Sequence, residues 1–251
     1  SGGRGRPIEL TDCRRICLWS GPRNISTALM YSFAQRADTR VFDEPLYAHY
    51  LARTPARGYH PGAEEVLASQ NQDGAVVVRN VILGPCDCPV VFFKQMTHHL
   101  VELDWSFMRE MVNIILTRDP RDMLPSYAQQ ISAPTMRDVG YAQHIQLLES
   151  LRDLGQEPSV LDARQTLLNP RGVLETLCTR IGIPCDDSML QWAAGARPED
   201  GVWAPHWYEN VHRSTGFQPH KPKTEPLPSY LEPLLAECQS HYDQPLKLAI
   251  H

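Results

Sequence analysis

Short apolar runs alternate with stretches of helical spacing along this chain, in the order of a sheet with helical crossovers. Apolar runs beginning at Ile16 and covering residues 40–43, 90–95, 112–116 and 159–162 read as strands. Helical patterns fall between them, at residues 28–36, 63–83, 104–110 and 136–154, although 75–78 taken alone passes for a strand. In the 136–154 stretch Val139, Ile145, Leu148 and Leu151 mark a core face. Asn169 and Pro170 start a further helix that Gly182 stops, and residues 229–242 form a last amphipathic one. Residues 54–62 and 197–228 are rich in Pro, Gly, Trp, His or basic residues and lack periodicity. Loops of this kind carry acceptor contacts or lids. No repeat or dividing linker is visible, so the expectation is one α/β domain over residues 1–251, with 1–12 as a loose arm and 197–228 as a long loop serving cofactor and acceptor.

Composition narrows this picture. With 42% hydrophobic and 21% charged residues the chain is an ordinary globular protein. A net charge of −5 argues against a nucleic-acid partner, so any anion site must be a local basic concentration. Seven scattered cysteines, an odd number, favour reduced thiols and a cytoplasmic setting over a disulfide framework. Cys86 and Cys88 lack a second ligand pair and read as loop cysteines rather than a zinc site. No stretch has the length of a membrane span, and no membrane partner is expected. The Ser-Gly-Gly start reads as a scar of cloning, so the first residues say nothing of a native leader or anchor.

The chemistry concentrates first at Gly21-Pro-Arg-Asn-Ile-Ser-Thr27, between the first strand and a helix. Free N–H groups at a helix start, with the dipole behind them, favour a phosphate or sulfate; Arg23 adds charge, and Ser26 and Thr27 add donors. A strand-to-helix turn whose hydroxyls only cap the helix would carry the same residues. A nucleoside-triphosphate loop would need a second glycine followed by lysine, and neither is present. A second anion element is Thr117-Arg-Asp-Pro-Arg-Asp122, at the carboxyl end of a buried strand, with Ser126 eight residues after Arg118. About two helical turns separate them, so both can face one phosphate.

In this order, the two elements resemble the cofactor sites of sulfotransferases that use 3′-phosphoadenosine-5′-phosphosulfate, in the branch with Pro-Arg in its first loop. The resemblance implies a single α/β domain of the P-loop-like sulfotransferase fold, a central parallel sheet flanked by helices. It further implies that Gly21, Pro22, Arg23, Asn24, Ile25, Ser26 and Thr27 hold the 5′-phosphosulfate, and that Arg118 and Ser126 hold the 3′-phosphate. His212-Arg-Ser-Thr-Gly-Phe217 resembles, loosely, the family's late cofactor loop and adds Arg213, Ser214, Thr215 and Gly216.

For proton transfer the resemblance points to Glu44, which precedes Pro45 at a strand end, a setting where relatives place a glutamate base; Asp43 and Glu44 would otherwise only cap a turn. Lys94 matches the family lysine on the bridging oxygen. Its strand continues Lys94-Gln-Met-Thr-His-His99, so His98 and His99 fall later than the family's histidine base, which raises the standing of Glu44. Trp203, His206, Trp207 and Tyr208 are candidates for an acceptor pocket.

The implied activity is sulfuryl transfer, without a metal, to a hydroxyl or amine of a small-molecule acceptor, releasing 3′,5′-adenosine bisphosphate. A catalytically silent nucleotide binder and a related nucleotide kinase are the alternatives. The acceptor's identity and the oligomeric state, a homodimer included, stay open.

Overall fold

The computed structural model describes residues 13–224 and 226–251, so the arm expected at 1–12 lies outside the described residues. Five strands build one sheet: β1 (Arg14–Ser20), β2 (Thr39–Asp43), β3 (Val90–Met96), β4 (Val112–Thr117) and β5 (Ser159–Asp162). Their order is β2-β3-β1-β4-β5, and every pairing is parallel. The chain leaves β1 toward one edge and β4 toward the other, so the order reverses around β1, the position where open α/β sheets open a crevice at the strands' carboxyl ends.

The helices are α1 (Ser26–Ala34), α2 (Tyr47–Arg53), α3 (Ala63–Ser69), α4 (Gly74–Val77), α5 (Pro120–Tyr127), α6 (Met136–Val139), α7 (Tyr141–Asp153), α8 (Ala163–Leu168), α9 (Pro170–Ile181), α10 (Ala204–Trp207), α11 (Glu209–His212) and α12 (Glu232–Leu248). Alternate residues of β1 serve opposite layers. Ile16 and Leu18 join α1 and α9 residues such as Phe33 and Leu177, while Cys17 and Trp19 join Leu147 and Leu151 of α7. Strands apolar on both faces need helices on both faces, and the chain supplies them. α12 closes over α5 and α7 through Leu235, Cys238 and Tyr242.

The expected strands are present, each within one residue or so of its expected bounds. The single helix expected at 136–154 divides into α6 and α7 at Gly140, whose φ of 77° is left-handed. Residues 104–110 form a 3₁₀ turn, Ser106–Glu110, instead of an α-helix. The last helix runs on to Leu248, and the long loop holds α10 and α11.

The cysteine expectation fails at one pair. Cys13 and Cys86 form a disulfide, with Cα atoms 6.4 Å apart across 73 residues. β1 and β3 are neighbours, and the Arg14 amide donates to the Pro89 carbonyl at 2.8 Å, so the residue entering β1 lies beside the loop entering β3. Sheet order creates that meeting, and spacing in the sequence does not reveal it. The argument from reduced thiols to a cytoplasmic setting therefore does not hold for this pair. No helix among the described residues is long and apolar enough to cross a membrane.

Candidate active site

A cavity of about 700 Å³ opens at the carboxyl ends of the strands. On one side lies the turn from β1 into α1. Among the residues at this turn, Asn24 Oδ1 accepts the Ile25 amide at 2.8 Å, yet no side chain caps the start of α1. Ser26 and Thr27 are thus not the helix-capping hydroxyls that the alternative reading required, and both line the cavity. Uncapped amides with a helix dipole behind them are a cradle for an anion. Arg23 holds a φ of 49°, uncommon for a residue with a side chain, which aims the loop at the crevice.

β4 delivers the other half. Arg118 leaves its carboxyl end, donates through Nη1 to the Arg23 carbonyl, and accepts the Tyr141 hydroxyl on its own carbonyl at 2.6 Å. Arg23 in turn donates from Nε to Ser126 Oγ at 3.0 Å and from Nη1 to the Trp207 carbonyl at 3.2 Å. Burial lowers the pKa of both guanidiniums, and Arg118 lowers that of Arg23 further. Among the described residues, neither has a carboxylate within salt-bridge distance. Two neighbouring, partly desolvated cations without a counter-ion are stabilised by a bound anion. Lys221, Lys223 and Arg164 line the same cavity.

Deeper in the cavity, a compact cluster joins β2, β3 and the segment around α10. Lys94 is fully buried; its Nζ donates to Glu44 Oε2 at 2.8 Å and to the Tyr208 hydroxyl, and lies 3.4 Å from Asp43 Oδ1. Burial alone would lower the Lys94 pKa, but Asp43 and Glu44 outweigh it and raise it, so the ammonium stays charged. Burial raises the Asp43 carboxyl despite Lys94, with Glu44 adding to the rise. Glu44 is 6% exposed, lines the cavity and has a φ of 41°. Its amide still donates to the Lys94 carbonyl at 2.9 Å, so the positive φ falls just where β2 ends and turns the carboxylate toward Lys94.

A family description, "Sulfotransferase domain", matches residues 14–244. The chain belongs to the sulfotransferase domain family. Branched-chain-amino-acid aminotransferase-like protein 2 of Arabidopsis thaliana is 40% identical to it over 231 residues, covering 91% of this chain and 40% of that protein. Branched-chain-amino-acid aminotransferase-like protein 1 from the same plant is 41% identical over 216 residues, 84% of this chain and 38% of that protein. The chain thus spans about two-fifths of the length of these relatives. Among solved structures, the sulfotransferase domain from the curacin biosynthetic pathway superposes with a TM-score of 0.57 at 15% identity, covering 95% of this chain and 99% of that one, so the two share a fold.

Within this sulfotransferase domain the cavity gathers most of the expected residues. Pro22 through Thr27, Glu44, Lys94, Arg118 and Ser126 line it, as do Ser214 and Gly216. Gly21 does not; a side chain there would meet the Val139 carbonyl oxygen at 3.2 Å, so the loop backs closely onto α6. Arg213 points into solvent and pairs with Glu209 at 2.6 Å, one helical turn away on an exposed face, so it does not reach the cavity. The Thr215 carbonyl accepts the Trp192 amide at 3.0 Å, and Thr215 does not line the cavity. Lys221 and Lys223, further along the same loop, line the cavity instead.

His98 and His99 line the cavity and are buried. Burial pushes His98 down to about 3 and His99 well below the usual range, and neighbouring histidines push both further. A group so reluctant to take a proton is a weak general base. His99 Nε2 stands 4.0 Å from Glu44 Oε1, close enough to face the same acceptor.

Sequence reading missed Tyr47, His60 and Tyr127. The Tyr47 hydroxyl lies 2.7 Å from His60 Nδ1, and Tyr47 stacks on His99 with ring centres 4.9 Å apart. A Tyr and a His on helical or loop stretches carry no local signal, and only the packing of α2 against the turn at residues 97–99 brings them to the cavity. Trp203, Trp207 and Tyr208 line it as expected, whereas His206 packs against Gly62. Of residues 54–62, which include a 3₁₀ turn at Pro55–Gly58, His60 alone lines the cavity.

Proposed function

We propose that this sulfotransferase moves the sulfuryl group from 3′-phosphoadenosine-5′-phosphosulfate to a hydroxyl or amine of a small-molecule acceptor, with Glu44 as general base. The observation that carries the reading is the convergence of the uncapped α1 start, Arg23, Arg118 and Ser126 at one end of a cavity that holds Glu44 and Lys94 at the other. When bound, the donor supplies the sulfuryl group and a phosphate leaving group.

Every further role falls to the chain. Arg118, Ser126 and the lysines at 221 and 223 anchor the 3′-phosphate of the nucleotide. The amides at the start of α1, with Ser26 and Thr27, orient the phosphosulfate, and Lys94 stabilises the negative charge that develops on the departing oxygen. Glu44 takes the acceptor proton as its oxygen or nitrogen bonds to sulfur and the bond from sulfur to the bridging oxygen breaks. Tyr47, His60, Trp203 and Trp207 wall the space next to Glu44, where an acceptor of modest size fits.

Transfer of the radiolabelled sulfuryl group from ³⁵S-labelled donor to a panel of phenols, alcohols, sugars and amines tests the activity. Transfer to a member of the panel that disappears in Glu44→Gln supports the reading. Transfer that survives this substitution at the wild-type rate contradicts the base assignment.

A further inference from the structure

The Tyr208 hydroxyl touches all three charged groups of the buried cluster. Its partners can be counted against what a phenol can do. A tyrosine hydroxyl has one proton to give and two lone pairs to receive with. Trp203 Nε1 donates to it at 3.0 Å and Lys94 Nζ donates to it as well, which fills the lone pairs. The single proton can then go to Asp43, whose two oxygens both lie 2.8 Å away, or to Glu44 Oε2 at 3.2 Å. The shorter approach belongs to Asp43. Asp43 also accepts the Gly201 amide at 3.0 Å, so two neutral donors hold it besides the more distant Lys94 ammonium.

Lys94 Nζ pairs with both carboxylates but stands closer to Glu44, at 2.8 Å, than to Asp43, at 3.4 Å. Glu44 has one oxygen engaged by Lys94, while its second, Oε1, accepts no hydrogen bond among the described residues and stands 4.0 Å from His99 Nε2. The two adjacent carboxylates, on consecutive residues and facing one lysine, are thus made unequal.

Resting on the assignment of Glu44 as base, we propose that Tyr208 is a positioning residue for the reaction: its hydroxyl holds the Asp43 carboxylate in place beside Lys94 and leaves Glu44 with an oxygen turned toward the acceptor. The proton balance is simple, because Tyr208 donates a hydrogen bond and transfers no proton. Burial first, then Asp43 and Glu44, hold its hydroxyl well above the ordinary phenol range, so it remains a donor. The same segment touches the anion cradle. The carbonyl of Trp207, the preceding residue, accepts from Arg23 at 3.2 Å, which ties the position of Tyr208 to the loop expected to bind the donor.

Other groups around Asp43 enter any titration of it. Lys94 and Glu44 face it from β3 and the end of β2, and Tyr31 of α1 lies close enough to sense its charge. Behind Tyr31, its hydroxyl donates to Asp200 Oδ1 at 2.5 Å, and His212 Nε2 lies 2.9 Å from Asp200 Oδ2. Of the groups that face Asp43, Tyr208 is a nearer donor, at 2.8 Å, than Lys94, at 3.4 Å.

The test is carboxyl NMR of protein labelled with ¹³C at Asp and Glu side chains, with the Asp43 and Glu44 signals assigned by Asp43→Asn and Glu44→Gln. Tyr208→Phe keeps the ring and its packing and removes one donor from the charged form of Asp43. The Asp43 titration then moves up by about one pH unit. Incorporation of 3-fluorotyrosine, a stronger donor of nearly the same shape, keeps the hydroxyl and moves that titration down, which secures the test should the phenylalanine variant fold poorly. Absence of an Asp43 shift in both proteins overturns the proposal.

In turnover, Tyr208→Phe lowers kcat about tenfold at unchanged KM for the donor and shifts the acid limb of the pH profile; a purely structural role would leave that limb in place. The NMR readout needs no turnover, so the two claims fail separately. Unchanged Asp43 titration removes the role of Tyr208, whereas full activity of Glu44→Gln removes the base and leaves the carboxylate geometry standing.

Discussion

The Arg23 guanidinium and the Ser126 hydroxyl meet at 3.0 Å across 103 residues of sequence. One belongs to the loop after β1 and the other to the helix after β4, and their meeting joins the two elements expected to bind anions along one cavity. With Arg118 bonded to the Arg23 carbonyl, the two arginines stand side by side, and Arg118 lowers the pKa of Arg23.

Removing Arg118 therefore weakens binding of an anion more than it perturbs the fold. Hydrogen bonds to charged groups contribute about 1.5–3 kcal/mol. At about 1.4 kcal/mol per tenfold, Arg118→Ala lowers the affinity for 3′,5′-adenosine bisphosphate roughly ten- to a hundredfold. Ser126→Ala, which removes a neutral donor, costs less, and calorimetry of both variants ranks them. A larger loss in Ser126→Ala would misplace the phosphate.

Glu44→Gln separates chemistry from binding. An amide of the same shape cannot take the acceptor proton, so turnover falls by about 10²–10⁴ while the affinity for the bisphosphate stays within about twofold. Single-turnover transfer alongside calorimetry checks both halves. Equal losses in both would assign Glu44 to structure rather than to proton transfer.

Much of this site could be read before the fold was known. Arg23, Arg118 and Ser126 sit at strand ends and helix starts, where local spacing reports position, and Glu44 and Lys94 end apolar runs in the same way. What could not be read depends on contacts across the sheet. Asp43 is adjacent to Glu44 in sequence, but its role follows from Tyr208, 165 residues away. Arg213 looked basic and near the right glycine, yet on its short helix it faces Glu209 and solvent. His60 enters the cavity because α2 and the following turn fold back over residues 97–99, a packing event without local signature.

Stability carries a pH signature from the buried histidines. Burial pushes His60 and His144 down to about 4 and His98 to about 3, and holds His99 lower than its usual range. In the unfolded chain these imidazoles take protons below about pH 6.5. The unfolded state therefore binds more protons than the folded one between about pH 6.5 and 4, and stability falls as pH drops through that window. Each such histidine contributes a slope of about 1.4 kcal/mol per pH unit. Asp43 and Asp162, both raised by burial, oppose this. Urea midpoints at several pH values should decline steadily below pH 6.5, and a flat profile down to pH 4.5 would show that the histidines are not buried neutral.

The Cys13–Cys86 bridge clamps the entrances of β1 and β3. A link of this kind contributes about 2–4 kcal/mol. A reductant should lower the thermal midpoint of the wild type and leave that of Cys13→Ser, already lowered, where it is. A wild-type midpoint indifferent to reductant would mean that the bridge adds no stability.

The central claim is that the cradle of Arg23, Arg118, Ser126 and the α1 start holds the nucleotide of a sulfuryl donor. Calorimetric titration with 3′,5′-adenosine bisphosphate, with ATP and magnesium as the control, tests it most directly. The account predicts binding of the bisphosphate by the wild type, weaker or absent binding of ATP, and loss of the bisphosphate signal in Arg118→Ala. Binding of ATP with magnesium in preference to the bisphosphate, or bisphosphate binding indifferent to Arg118, would contradict it.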